Sequence, residues 1–181
     1  SSDVCSSDLL AEVDAIRAAM EASLGPERFP NWIGPQRFGS GRPVTPVVGR
    51  HVIAGDFEAA VMAYLSMPGE DESDEAASFR RRIREEGITE DSIDACPEWM
   101  DFERRMASHL LEHPDDFVGA FRKLPNNLQL MTVHALQSVV FNRALHARIE
   151  AGLPLSEPVE GDLVGIVDER GQLESKGIVV V

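Results

Sequence analysis

Two stretches of this chain hold residues whose types and spacing suit chemistry. His109-Leu110-Leu111-Glu112-His113 matches H-x-x-E-H, in which two histidines one helical turn apart hold zinc and the glutamate acts as base. Pro114 follows at once, which places His113 on a last helical turn. There the helix dipole favours an imidazolium without any metal, and no third ligand stands out. The helix-end reading is preferred and no metal site is assigned. The second stretch is residues 31–42. Asn31, Gln36, Arg37 and Arg42 carry forks that bond phosphates and base edges, with Trp32 and Phe38 as stacking faces among them. The same pattern also fits a structural loop, with Trp32 and Phe38 as core anchors and Arg37 in an ion pair. Gly34, Gly39 and Gly41 match no phosphate cradle. There is no Walker loop, no G-x-S-x-G elbow and no carboxylate in an apolar setting, so no catalytic residue is assigned.

Overall charge points away from nucleic acid, since 17 basic and 31 acidic residues among 181 give a net charge of −14. That average hides a division. Residues 28–55 hold Arg28, Arg37, Arg42 and Arg50 with no acid; residues 117–149 hold Arg122, Lys123, Arg143 and Arg148 with no acid. Two long acid-free segments in so acidic a chain suggest an anion met there, or burial, which also excludes acids. No apolar run approaches the roughly 18 residues of a membrane span, and no signal peptide is evident. Two cysteines, Cys5 and Cys96, form no metal knuckle. A soluble, cytoplasmic chain that meets no membrane is expected.

Several elements must position these residues. Ser-Ser-Asp occurs twice in residues 1–9, which read as a translated sequencing-adapter remnant and are set aside. Leu10, Val13, Ile16, Ala19, Met20 and Leu24 predict a helix closed by Gly25-Pro26. Residues 28–43 read as a short extended piece and a structured loop. A helix over about 45–53 comes next, then one capped by Asp56 that ends at Pro68-Gly69. Residues 70–96 read as an acidic surface insertion, with a loop over 70–75 and a charged helix over 78–87. The spacing predicts a helix over 98–112 with Trp99, Phe102, Met106, Leu110 and Leu111 inward, and a short helix from Asp115-Asp116. The long helix, about 127–150, is apolar around most of its circumference and is expected at the centre of its domain. Residues 161–181 predict two strands with a turn at Glu169-Arg170-Gly171.

The ordered residues resemble a known family. Asn31-Trp32-Ile33-Gly34-Pro35-Gln36-Arg37-Phe38-Gly39 is similar to the N-[YF]-F-G-x-Q-R-F-G signature of the TruD family of tRNA pseudouridine synthases. Arg42-Pro43-Val44-Thr45 through Val48-Gly49-Arg50 and Gly55-Asp56-Phe57-Glu58-Ala59-Ala60-Val61 look like archaeal members. So do Val133-His134-Ala135-Leu136-Gln137-Ser138, Phe141-Asn142-Arg143-Ala144-Leu145, Gly152-Leu153-Pro154 and Gly161-Asp162. The resemblance spans about residues 10–181, and both acid-free segments fall on it.

The resemblance implies isomerisation of uridine 13 in tRNA to pseudouridine, without a cofactor. An aspartate in a G-x-K-D motif attacks the flipped base, and uracil is released, turned and rejoined through carbon 5. Neither G-x-K-D nor the family's G-N-x-F stretch occurs in this sequence, and Ile33 stands where the family usually has Phe. The expected architecture is therefore α+β: a mainly helical TruD-type inserted domain with a C-terminal β-hairpin from a larger pseudouridine synthase fold, cut at both ends. The expected partner is tRNA, with Asn31, Gln36, Arg37 and Arg42 as RNA contacts and no obligatory protein partner. The rival expectation is a non-enzymatic helical interaction module.

Overall fold

The structure is a computed structural model that describes residues 4–24, 30–39, 41–155, 157–170 and 173–180. It is mainly helical. Its helices are α1 (Val4–Leu24), α2 (Thr45–Ile53), α3 (Phe57–Ser66), α4 (Asp74–Glu86), α5 (Glu90–Asp94), α6 (Asp101–Glu112), α7 (Phe117–Phe121) and α8 (Asn126–Glu150). Strands β1 (Leu163–Val167) and β2 (Leu173–Val180) come after them, and a 3-10 turn covers Pro35–Phe38. The chain divides into two compact units: Ile33–Asn142, and Ser1–Trp32 with Arg143–Val181.

Local chemistry explains most boundaries within Ile33–Asn142. The Asp56 carboxylate accepts the Ala59 amide at 2.9 Å and caps α3. Asp116 caps α7 through the Gly119 amide at 2.8 Å. Thr89 and Ser92 cap α5 reciprocally. The cluster these helices enclose includes Val44, Val48, Val61 and Leu65, Phe79 and Ile83 of α4, Met106 and Leu110 of α6, and Phe121. Phe57 meets Phe121 edge to face with centroids 5.7 Å apart. Each fully buried side chain of this size contributes about 1.5–3 kcal/mol.

Three expectations need correction here. Residues 70–96 are no solvated insertion: α4 starts at Asp74, capped by Ser73, and Ala76, Phe79, Arg80 and Ile83 are buried, as are Ser92 and Ile93 of α5. Dense charge on the outer face conceals an apolar stripe of only a few residues. Trp99 precedes α6 and is 65% exposed, and Leu111 is exposed as well. The long helix α8 buries Thr132, Ala135 and Ser138, while Leu130, Met131, Val140 and Phe141 are exposed. Gly49 of α2 lies against the Thr132 backbone of α8.

In the other unit, α1 begins at Val4, ahead of the expected start, and Val13 and Ile16 are exposed. The hairpin is antiparallel, pairs Leu163 with Val180 and Val167 with Leu173, and slips register between Gly165 and Val167. The Asp168 carboxylate accepts the Arg170 amide at 2.9 Å at the turn, and Gly171 lies outside the described residues, as do Gly25-Pro26 and Arg28. Arg148 donates both to Asp162, 2.8 Å to each carboxylate oxygen, and to the carbonyls of Pro154 and Glu157. No described helix is long and apolar enough to cross a membrane.

Gly49 gives a direct test of the α2–α8 packing. A Cβ there would lie 2.0 Å from the Thr132 carbonyl oxygen and 2.6 Å from its carbon. Gly→Ala in an exposed helix adds roughly 1 kcal/mol of stability. At position 49 the sign reverses, and G49A is expected to cost about 1–3 kcal/mol by urea denaturation. A stabilised variant would contradict the close approach.

Candidate nucleic-acid interface

Pro35 starts the 3-10 turn, with its fixed φ suited to a first helical position. The Arg37 amide donates to Gly34 at 3.2 Å and the Gly39 amide to Gln36 at 3.4 Å. Gly39 then adopts a φ of 98°, and a Cβ there would sit 2.3 Å from the Arg42 carbonyl oxygen. Only glycine closes this bend without strain. Gln36 and Arg37 point outward and are exposed, as are Asn31 and Trp32. Ile33, Gly34, Gln36, Arg37 and Met131 line a groove of about 470 Å³. Among these described residues Ile33 and Met131 supply apolar side chains, and Gln36 and Arg37 supply an amide and a guanidinium. The Gln36 amide and the Arg37 guanidinium can bind and orient a ligand.

Arg42 is a correction. Its side chain is only 12% exposed. The guanidinium donates to the Met67 carbonyl at 2.8 Å, to Ala63 at 3.3 Å and to Tyr64. It lies 3.7 Å from Glu72 and 3.8 Å from Glu103. Arg80 joins the cluster, donating to Glu72 at 2.5 Å, to Glu103 at 3.0 Å and to the Tyr64 and Leu65 carbonyls at 3.1 Å. Burial, with the Arg80 charge beside it, pulls the Arg42 pKa down to about 10, still charged at neutral pH. Burial pushes Tyr64 up to about 12. Burial opposes ionisation of Glu72, but the Arg80 hydrogen bond and the Gly69 amide outweigh it and hold the carboxyl below 4.5. A guanidinium spent on three carbonyls and two carboxylates is not offered to RNA.

His109 Nε2–H donates to the Asp116 carboxylate at 2.8 Å, and the His109 ring centroid is 4.9 Å from that of His113. The Gly119 amide and the His109 contact hold the Asp116 carboxyl below its ordinary range. Among the described residues no group of three or more His, Cys, Asp or Glu is placed to hold a metal ion.

Known proteins share both this sequence and this fold. The sequence profile of tRNA pseudouridine synthase D (TruD) matches residues 2–181. The chain belongs to the TruD family. A Methanopyrus kandleri protein named "Probable tRNA pseudouridine synthase D" is 47% identical over 135 residues, 74% of this chain and 34% of that one. A Methanosarcina barkeri protein of the same name is 44% identical over 146 residues, covering 81% and 33%. The crystal structure of a Methanosarcina mazei protein described as "Putative tRNA pseudouridine synthase D (TruD)" superposes with a TM-score of 0.77 at 40% identity, over 84% of this chain and 35% of that one. The chain spans about a third of the length of these relatives.

TruD membership makes one residue that sequence reasoning passed over prominent. The Asn142 amide is hydrogen-bonded to both backbone groups of Ile33, at 3.0 Å and 2.9 Å. It ties the signature stretch at 31–39 to the one at 141–145. A polar residue in an apolar helix was the available signal, but the partner, 109 positions away, was not legible. Of the basic residues in the acid-free segments, Arg42 and Arg148 serve the fold, whereas Arg37, Arg50, Arg122, Lys123 and Arg143 are exposed.

The buried and the exposed arginines of this region should therefore behave oppositely. Removing one partner of a buried ion cluster strands the others, so R80A is expected to lose about 3–5 kcal/mol of unfolding free energy. R37A, on an exposed side chain, should stay within about 0.5 kcal/mol. Acid has a defined effect too. Glu72 has a depressed folded pKa, so its contribution is full above its unfolded value near 4.5 and fades as pH falls towards the folded value. E72Q should flatten the stability–pH curve below about pH 4.5, and an unchanged curve would contradict the cluster.

Proposed function

We propose that this chain is the RNA-holding part of a tRNA pseudouridine synthase that isomerises uridine 13, and that Asn31, Gln36 and Arg37 contact the RNA. The observation that carries this reading is the groove at the 3-10 turn. It brings an exposed guanidinium and an exposed amide together with the apolar side chains of Ile33 and Met131. A base extruded from its stack needs an apolar surface and edge-directed forks, and the flanking phosphates need cations. Exposed Arg50, Arg122, Lys123 and Arg143 supply further positive charge on an otherwise acidic molecule. The relatives' names support the same substrate class. Such a role fits a cytoplasmic protein that needs no cofactor.

The chemistry itself requires a nucleophilic carboxylate, and the sequence contains no G-x-K-D. The reading therefore gives this chain binding without turnover. Exposed Leu130, Val140 and Phe141 on α8 support a second reading, a helical module that docks another protein surface.

Titration of the purified chain with unmodified tRNA across a salt series separates the two. The RNA reading expects affinity that falls with salt, and R37A should reduce the logarithmic slope by about 1. The docking module expects no salt-dependent tRNA binding. Pseudouridine formation by the chain alone would overturn the division between holding and chemistry.

A further inference from the structure

Ile33 and Asn142 are the first and last residues of one compact unit. Between them run two hydrogen bonds of opposite sense: the Ile33 N–H donates to Asn142 Oδ1 at 3.0 Å, and Asn142 Nδ2 donates to the Ile33 carbonyl at 2.9 Å. A primary amide places one donor and one acceptor side by side, which no carboxylate or ammonium does at neutral pH. The side chain thus treats Ile33 as an adjacent strand would, and fixes its peptide planes.

The groove begins at Ile33 and is built from the residues just after it in sequence. Gly34 carries no side chain, Pro35 starts the turn, and Gln36 and Arg37 supply its polar groups. The turn's own hydrogen bonds, Arg37 to Gly34 and Gly39 to Gln36, close it locally, and it packs on α2 beside Thr45. Its far end is fixed by Arg42 on the carbonyls of α3. Its near end is fixed by Asn142.

We propose that Asn142 is a positioning residue for RNA binding: it acts through the Ile33 backbone to hold Gln36 and Arg37 at the groove. This rests on the RNA reading of those two residues. The clamp grips backbone, so the side chain at 33 is free of that duty, and isoleucine can stand where the family usually has Phe. Preorganisation of this kind strengthens binding by removing the ordering cost of the loop, without any contact between Asn142 and the ligand.

The test is a double-mutant cycle on the full 181-residue chain, read as affinity for unmodified tRNA at fixed salt. N142A is expected to weaken binding roughly five- to tenfold, with a melting temperature within a few degrees of the parent and faster hydrogen exchange at the Ile33 amide. In a Q36A/R37A background, N142A should change affinity by less than about twofold, because the groups it positions are gone. If N142A unfolds the chain, N142D replaces it. That variant is isosteric and keeps the acceptor for the Ile33 amide, but turns a charged oxygen on the Ile33 carbonyl, and it should show the same non-additivity. Full additivity would show that Asn142 acts elsewhere and overturn the inference. So would unchanged affinity in N142A while Q36A/R37A binds weakly, which leaves the RNA reading intact. Unchanged affinity in Q36A/R37A removes the RNA reading and this inference with it.

Discussion

The C-terminal end of α3 is the constraint on which the rest of this structure depends. A helix ends with carbonyls that have no partner of their own, and α3 has no basic residue in its last turn. Arginines from elsewhere in the chain meet those carbonyls instead: Arg42 on Ala63, Tyr64 and Met67, Arg80 on Tyr64 and Leu65, and Arg84 on Ser66. Positive charge there also answers the negative end of the helix dipole. Buried guanidinium groups need counter-charges, and Glu72 and Glu103 provide them. One short helix end thereby recruits the loop before α2, the loop before α4, and both α4 and α6.

That arrangement shapes the surface as well as the core. Arg42 draws one end of the 33–42 stretch against α3, and Asn142 of α8 holds the other at Ile33. Between two such anchors a segment of about ten residues has little freedom, and its exposed Gln36 and Arg37 share a groove with Ile33 and Met131. The interior arginine makes no surface contact of its own, yet it sets where the surface arginine stands. A basic signature can therefore divide its labour, with one member holding the fold and another offered to solvent.

The acidic character of the chain fits the same logic. Acids crowd residues 70–103, where Glu72 and Glu103 face inward against arginine and the remainder stay in water. The described residues that line the groove include no acid. A strongly negative protein can thus keep an anion-compatible surface, because the field near a groove is set by its own lining at distances below about 8–10 Å in physiological salt.

Much of the local structure was determined by the sequence alone. Asp56 as a cap, a short helix starting at Asp115-Asp116, the helix over 45–53, the long α8 and the terminal hairpin all come from side-chain chemistry and period, which act within a few residues. The signature at 31–39 named the family, since a fixed order of uncommon residues survives without knowledge of packing. Tertiary structure alone decided which charges are buried. Arg37 and Arg42 are the same residue type five positions apart, and nothing local distinguishes a guanidinium aimed at water from one aimed at a helix end. It decided too that α4 belongs to the core and that Asn142 reaches Ile33, because such pairings depend on which distant segments meet when apolar faces are buried.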